Sequence, residues 1–148
     1  MFYGEHAHSI DRKGRLIIPS RFREVFKEHY TERLYLTRGL DQCLFLFTQD
    51  EWRSQENKFK ALSFTKKETR SFNRLFFSGA AEMNCDAQGR ILVPHYLKEY
   101  ADIRRDVVLV GVSNRIEIWS KEIWTKMYAE TKNSFEELAE KLLDERTS

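Results

Sequence analysis

One nine-residue phrase occurs twice in the 148-residue chain, as DRKGRLIIP at Asp11 to Pro19 and as DAQGRILVP at Asp86 to Pro94, 75 positions apart. Asp11/Asp86, Gly14/Gly89, Arg15/Arg90 and Pro19/Pro94 are identical, and Leu16/Ile91 is a conservative match. A repeat at that distance means two copies of one supersecondary unit, each too small to bury its own core. In both copies a glycine follows polar residues and precedes an aliphatic run, which reads as a turn opening into a strand. The glycine supplies the positive φ of the corner, and the aspartate accepts from the backbone two residues on. The proline ends the strand and starts a helix at its first turn, where a missing N–H costs little. Phe22, Val25 and Phe26 then fall at i, i+3, i+4, as do Leu97, Tyr100 and Ala101 in the second copy. The unit is turn, strand, short amphipathic helix.

Arg15 and Arg90 follow the turn glycines directly, where a strand begins and successive side chains alternate faces. Two readings stand side by side. Each arginine can be solvated or paired with its own aspartate, holding the turn. Each can also present a guanidinium on a rigid corner to a phosphate or a guanine edge, for which its planar fork is suited. The two roles are compatible.

Before each phrase lies a strand-like stretch, Met1 to Ile10 in the first copy, and Phe2 and Gly4 align with Phe77 and Gly79. His6 and His8 share one strand face there, with no third metal ligand indicated nearby. After the first helix, LYLTRGLDQCLFLF reads as two short strands around a Gly-Leu-Asp-Gln turn, and VVLVGVSNRIEIW is its counterpart. The offset between these segments is 72, so the first unit carries three extra residues, expected in the loop around His29 to Thr31. Thr48 with Glu51, Thr65 with Glu68, and Ser134 with Glu137 have capping-box spacing and predict three helix starts. Phe72, Leu75 and Phe76 mark one apolar side, as do Trp52, Phe59 and Leu62; Trp52 aligns with Trp124. Phe135, Leu138, Ala139, Leu142 and Leu143 form a stripe on the last helix that wants a partner.

With 41% hydrophobic and 32% charged residues the chain has a globular composition. No apolar run approaches the roughly 20 residues of a membrane span, and MFYGEHAHS lacks a signal-peptide core, so a cytoplasmic location without membrane contact is expected. Cys43 and Cys85 lie in strand-like contexts without CxxC spacing and are expected as buried thiols. Net charge is only +2, but residues 11 to 27 carry +4 and residues 130 to 148 carry −3, an asymmetry that bears on partners. The basic connector, with Lys58, Lys60, Lys66, Lys67, Arg70 and Arg74, reads as a solvated helical face in preference to a second nucleic-acid contact.

MFYGEHAHSIDRKGRLIIPSRFRE, FTKKETRSFNRLFFSGA and the second DAQGRILVP with GVSNRIEIW together resemble the bacterial MraZ family over nearly the whole chain. The resemblance implies an α+β, β-rich fold: two fused AbrB-type swapped-hairpin half-barrels forming a pseudo-dimeric barrel with flanking helices. The implied divisions are a first SpoVT-AbrB repeat at 1–49, a helical connector at 50–75, a second repeat at 76–120 and C-terminal helices at 121–148. It implies a ring-like homo-oligomer, nucleoid-associated, that regulates transcription by binding double-stranded DNA at promoter direct repeats upstream of the division and cell-wall genes, its own gene included. The family's D-x-x-x-R turn is the DNA-reading element, which carries over to Asp11, Lys13 and Arg15 and to Asp86 and Arg90. Arg12, Lys13, Arg15 and Arg90 are then the DNA-binding candidates, and Asp11, Gly14, Asp86 and Gly89 shape the turns. Ala87 and Gln88 replace Arg12 and Lys13 in the second copy, so the two turns need not contact DNA equally. Asp102 stands where the family often has a glycine, which questions the cap of the second short helix.

An interaction module of antitoxin type, clasping a protein through the acidic tail, is the alternative. An enzyme is not expected, nor a cofactor: no nucleophile elbow, phosphate-binding glycine loop or HExxH pattern is present.

Overall fold

Strand pairing between the two repeats organises the molecule, a computed structural model that describes residues 1–147, with side chains described through residue 144. The first repeat contributes β1 (Phe2–Ser9), β2 (Arg15–Ile17), α1 (Ser20–Glu28), β3 (Leu34–Arg38) and β4 (Leu44–Thr48). Helices α2 (Gln49–Lys60) and α3 (Lys67–Ser78) connect it to β5 (Ala81–Met83), β6 (Arg90–Leu92), α4 (His95–Tyr100), β7 (Asp106–Ser113) and β8 (Ile116–Ser120). Helix α5 (Lys121–Thr131), a 3₁₀ turn at Lys132–Ser134 and α6 (Phe135–Thr147) complete the described chain.

Six strands form one antiparallel sheet in the order β1-β7-β8-β4-β3-β5. Each repeat's hairpin therefore carries the other repeat's first strand on its outer side: β1 lies on β7 and β5 on β3, while β8 and β4 join the halves at the centre. Strands β2 and β6 form a separate antiparallel ribbon, with Leu16 opposite Ile91. The six strands remain an open sheet with β1 and β5 at its edges, not a closed barrel. Among the described residues one isolated bridge, Ile10 to Leu16, links the sheet to the ribbon.

One core serves both repeats. Leu16, Ile18, Phe22, Leu36, Leu44 and Leu46 of the first pack with Ile91, Val93, Leu97, Leu109, Ile116 and Ile118 of the second, all at most 2% exposed. The two short helices deliver the side chains that their periodicity requires, Phe22 and Phe26 from α1, Leu97 and Ala101 from α4 and its cap. On the opposite face of β3 and β4, Tyr35, Phe45 and Phe47 meet Trp52 of α2 and Phe72, Phe76 and Phe77 of α3. Trp52 stacks on Tyr35 with ring centroids 5.3 Å apart. Burial on both faces is why these two strands are rich in aromatic and aliphatic residues without alternation. Leu75 departs from the expected stripe: it is 59% exposed, because α3 turns Phe72 and Phe76 to the aromatic cluster.

The three extra residues of the first repeat lie in a helix and not in the loop at His29 to Thr31. Helix α1 has nine residues and α4 has six, and both end before a residue with left-handed φ, Tyr30 at 51° and Asp102 at 52°. The prolines match at offset 75 and these caps at offset 72, so the insertion is nearly one helical turn, which preserves the direction of both ends. Asp102 thus takes the conformation that a glycine there would take. Pro19 and Pro94 are N-caps, one place earlier than the first helical position, and their carbonyls accept the first helical bonds, from Phe22 and Arg23 and from Leu97 and Lys98.

Of the capping boxes, Thr48 holds: its Oγ1 accepts from the Glu51 N–H at 3.4 Å. Thr65 does not cap α3, whose N-cap is Lys66 without a side-chain bond. Its hydroxyl instead meets that of Ser63, and Arg70 reaches back to the carbonyls of Phe64 and Thr65. Ser134 ends the 3₁₀ turn from which α6 continues. Phe135, Leu138, Leu142 and Leu143 are 48–75% exposed along α6.

Candidate functional site

Each duplicated phrase folds into one hydrogen-bonded unit, and the two units are alike bond for bond. In the first turn, Asp11 Oδ1 accepts from the backbone N–H groups of Lys13 and Arg15, both at 2.9 Å, and its Oδ2 accepts from Arg15 Nε at 2.6 Å. The Gly14 N–H closes the corner onto the Asp11 carbonyl at 3.0 Å. In the second, Asp86 Oδ1 accepts from Gln88 and Arg90 at 2.9 Å, Oδ2 from Arg90 Nε at 2.8 Å, and Gly89 N–H reaches the Asp86 carbonyl at 2.9 Å. Gly14 and Gly89 have φ of 83° and 77°, which an L side chain rarely adopts. A Cβ on Gly14 would also lie 2.8 Å from the Val93 carbonyl oxygen.

That close approach marks how the turns are joined. Val93 N–H donates to the Gly14 carbonyl at 2.7 Å and Ile18 N–H to the Gly89 carbonyl at 2.9 Å, so each corner is bonded to the strand that follows the other. Between them the β2–β6 ribbon pairs Arg15 with Leu92, Leu16 with Ile91 and Ile17 with Arg90. Alternation sends Leu16 and Ile91 into the core at 0% and 1% exposure. Arg15, Arg90, Ile17 and Leu92 occupy the outer face, the two aliphatic residues 44% and 56% exposed. Both aspartates are held below the usual carboxylate range, foremost by the backbone N–H of Arg15 or Arg90 and then by that arginine's side chain.

The paired and presented readings of the arginines are therefore compatible in one geometry. The carboxylate takes Nε, and among the described residues no acceptor takes the terminal nitrogens of Arg15 or Arg90. The arginine side chains are 37% and 26% exposed, each held to its aspartate through Nε. A fixed fork of this kind suits bidentate recognition of a phosphate or a guanine edge. Arg12 and Lys13 extend the first corner as exposed cations, and Ala87 and Gln88 replace them in the second.

Several neighbours of the turns carry no mark in the local sequence. Arg23 of α1 lies across the second turn, its guanidinium where a Gly89 Cβ would stand, with Nε donating to the Ile18 carbonyl at 2.9 Å. Lys98, Arg104 and Arg105 line a cleft beside the first turn. Superposing the repeats in sequence pairs Arg23 with Lys98 at offset 75 and Glu32 with Arg104 at offset 72, a signal visible only once the two offsets are applied to their own segments. His6, placed on the same strand face as His8, packs on the Phe22 ring with centroids 5.1 Å apart. Burial, with His6 second, lowers the proton affinity of His8. Burial likewise pushes the Cys43 thiol well above its ordinary value, and Cys85 is half-buried beside the second turn; both are free thiols. Among the described residues no helix is long and apolar enough to cross a membrane.

One family model matches the chain twice, over residues 1–75 and again over 76–146, under the description "MraZ protein, putative antitoxin-like". The junction falls between α3's Leu75 and Phe76, so the second match begins just ahead of β5 as the first begins ahead of β1.

Proposed function

The chain belongs to the MraZ family, and from that membership we propose that it is a DNA-binding transcriptional regulator whose paired D-x-x-G-R turns read promoter direct repeats. The observation that carries this reading is the β2–β6 ribbon, whose outer face presents Arg15 and Arg90 on two identically bonded corners. A two-stranded ribbon fits the major groove. Arg15 addresses a guanine edge, and Arg12 and Lys13 neutralise phosphate, which makes binding salt-dependent. Arg90 contacts DNA less strongly, its corner lacking the two cations of the first.

So few charges per chain give a weak grip, and assembly supplies the rest: a homo-oligomeric ring sets several first turns on successive direct repeats. The regulated DNA lies upstream of the division and cell-wall genes, the protein's own gene among them, and the protein acts in the cytoplasm at the nucleoid. The test is a footprint on the DNA upstream of its own gene. Protection of spaced direct repeats is expected; uniform or absent protection contradicts the proposal.

A protein-clasping role of antitoxin type is the second reading, favoured by the exposed stripe Phe135, Leu138, Leu142 and Leu143 on α6. A heterologous protein that co-purifies tightly, with no DNA shift, is the result that favours it over the first.

A further inference from the structure

The two turns are alike in their bonds but not in what lies beside them. Next to the first turn is a cleft of about 660 Å³ lined by Ser9, Ile10, Asp11 and Arg12 and, from the second repeat, Lys98, Arg104 and Arg105. Its single carboxylate, Asp11, is already bonded to Arg15. Among the described residues Arg12, Lys98, Arg104 and Arg105 form no side-chain ion pair or hydrogen bond, and Arg12, Arg104 and Arg105 are exposed.

The corresponding cleft at the second turn, about 440 Å³, is lined by Arg23, Lys27, Glu32 and Asp86 among apolar residues that include Phe26 and Leu34. There the charges balance, and Arg23 already donates to the Ile18 carbonyl. Glu32 stands where the second repeat has Arg104. Arg33, the equivalent of Arg105, is bonded to Glu82 at 2.9 Å. An excess of cations beside one turn, where its structural twin has balanced charges, has no role in the core, and like charges lining one cleft favour an anion there.

We infer that Lys98, Arg104 and Arg105, with Arg12, form a phosphate-binding cleft that grips the DNA backbone next to the base-reading first turn. The inference rests on the DNA-binding reading and adds to it: the second repeat holds the DNA mainly through cations that it places beside the first repeat's turn. Inorganic phosphate shares the same chemistry and is the alternative occupant.

The measurement is duplex affinity across a salt series, for the intact protein and for Lys98→Gln/Arg104→Gln/Arg105→Gln, on a direct-repeat and on a scrambled duplex. The triple variant removes no bonded partner, and an unchanged melting temperature verifies its fold. It is expected to weaken both duplexes alike and to flatten the plot of log affinity against log salt, by about 0.9 for each phosphate no longer neutralised. Arg104→Glu, which copies the charge at position 32, is expected to do the same in part, and Lys27→Gln at the second cleft to leave the slope unchanged. A wild-type slope in the triple variant overturns the inference, most clearly if the intact cleft saturates with inorganic phosphate. Loss of sequence preference in Arg15→Ala together with an unaltered slope in the triple variant overturns the cleft but spares the reading turn. A flattened slope without any sequence preference in the intact protein does the reverse.

Discussion

At the scale of single residues, the aspartates Asp11 and Asp86 hold the corners in a form that lets the arginines face outward. Each accepts two backbone N–H groups and one guanidinium N–H, and these donors favour the ionised carboxylate. Their folded-state affinity for a proton is lowered relative to the unfolded chain, so the folded state binds fewer protons. Their contribution to stability is full above the unfolded carboxylate range of about 4 and is lost as pH falls through the lower folded value. Asp11→Asn/Asp86→Asn is expected to reduce the loss of melting temperature between pH 6 and pH 3, because an amide does not titrate in that range. A wild-type pH profile in the double variant contradicts this. The turns are the most legible part of the sequence for a plain reason: Asp, Gly and Arg within five positions specify their own bonds, with no distant partner required. Arg23 and Lys98 are not legible, because each acts on the turn of the opposite repeat.

At the scale of elements, helix periodicity predicts the buried faces of α1 and α4, and Phe22, Phe26, Leu97 and Ala101 all reach the core. Lengths are harder. An insertion of three residues adds nearly a turn to α1 and leaves both flanking segments recognisable, so aligning the two repeats places it equally well in the helix or in the loop after it. Thr65 does not cap α3: its hydroxyl is engaged with Ser63 and the helix starts one residue later, with Lys66 as N-cap. The ribbon β2–β6 is the element on which the site depends, and Leu16, fully buried opposite Ile91, anchors it to the core. Leu16→Ala is expected to cost about 2–5 kcal/mol in denaturant unfolding. A loss well below about 1 kcal/mol would mean that the ribbon is not packed as described. Gly111 is a second sensitive point, because a Cβ there would strike the Tyr3 backbone N across the β1–β7 pairing. Gly111→Ala is expected to destabilise by about 1–3 kcal/mol, measured the same way, whereas a neutral effect would show that β1 shifts without cost.

At the scale of the whole molecule, the duplication predicts two units that complete one another, and the shared core is that arrangement. The pairing itself is not legible in the chain, because which strand meets which depends on segments some 75 residues apart and no local pattern encodes their meeting. Every strand of the first repeat pairs with one of the second: β1 with β7, β2 with β6, β3 with β5 and β4 with β8. A chain of residues 1–75 is therefore expected to show no cooperative unfolding transition, while the full chain unfolds in a single one; a folded fragment would contradict the interlaced architecture. The same exchange brings Lys98, Arg104 and Arg105 to the first turn, so the difference between the turns is a property of the molecule and not of either phrase. All of this converges on the outward-facing arginine of the first corner. Arg15→Ala, compared with the intact protein in a gel-shift titration on direct-repeat and scrambled duplexes at one salt concentration, tests it most directly. Loss of the preference for the repeats, by about 1–3 kcal/mol per engaged turn, is the expected result, and an undiminished preference would contradict the account.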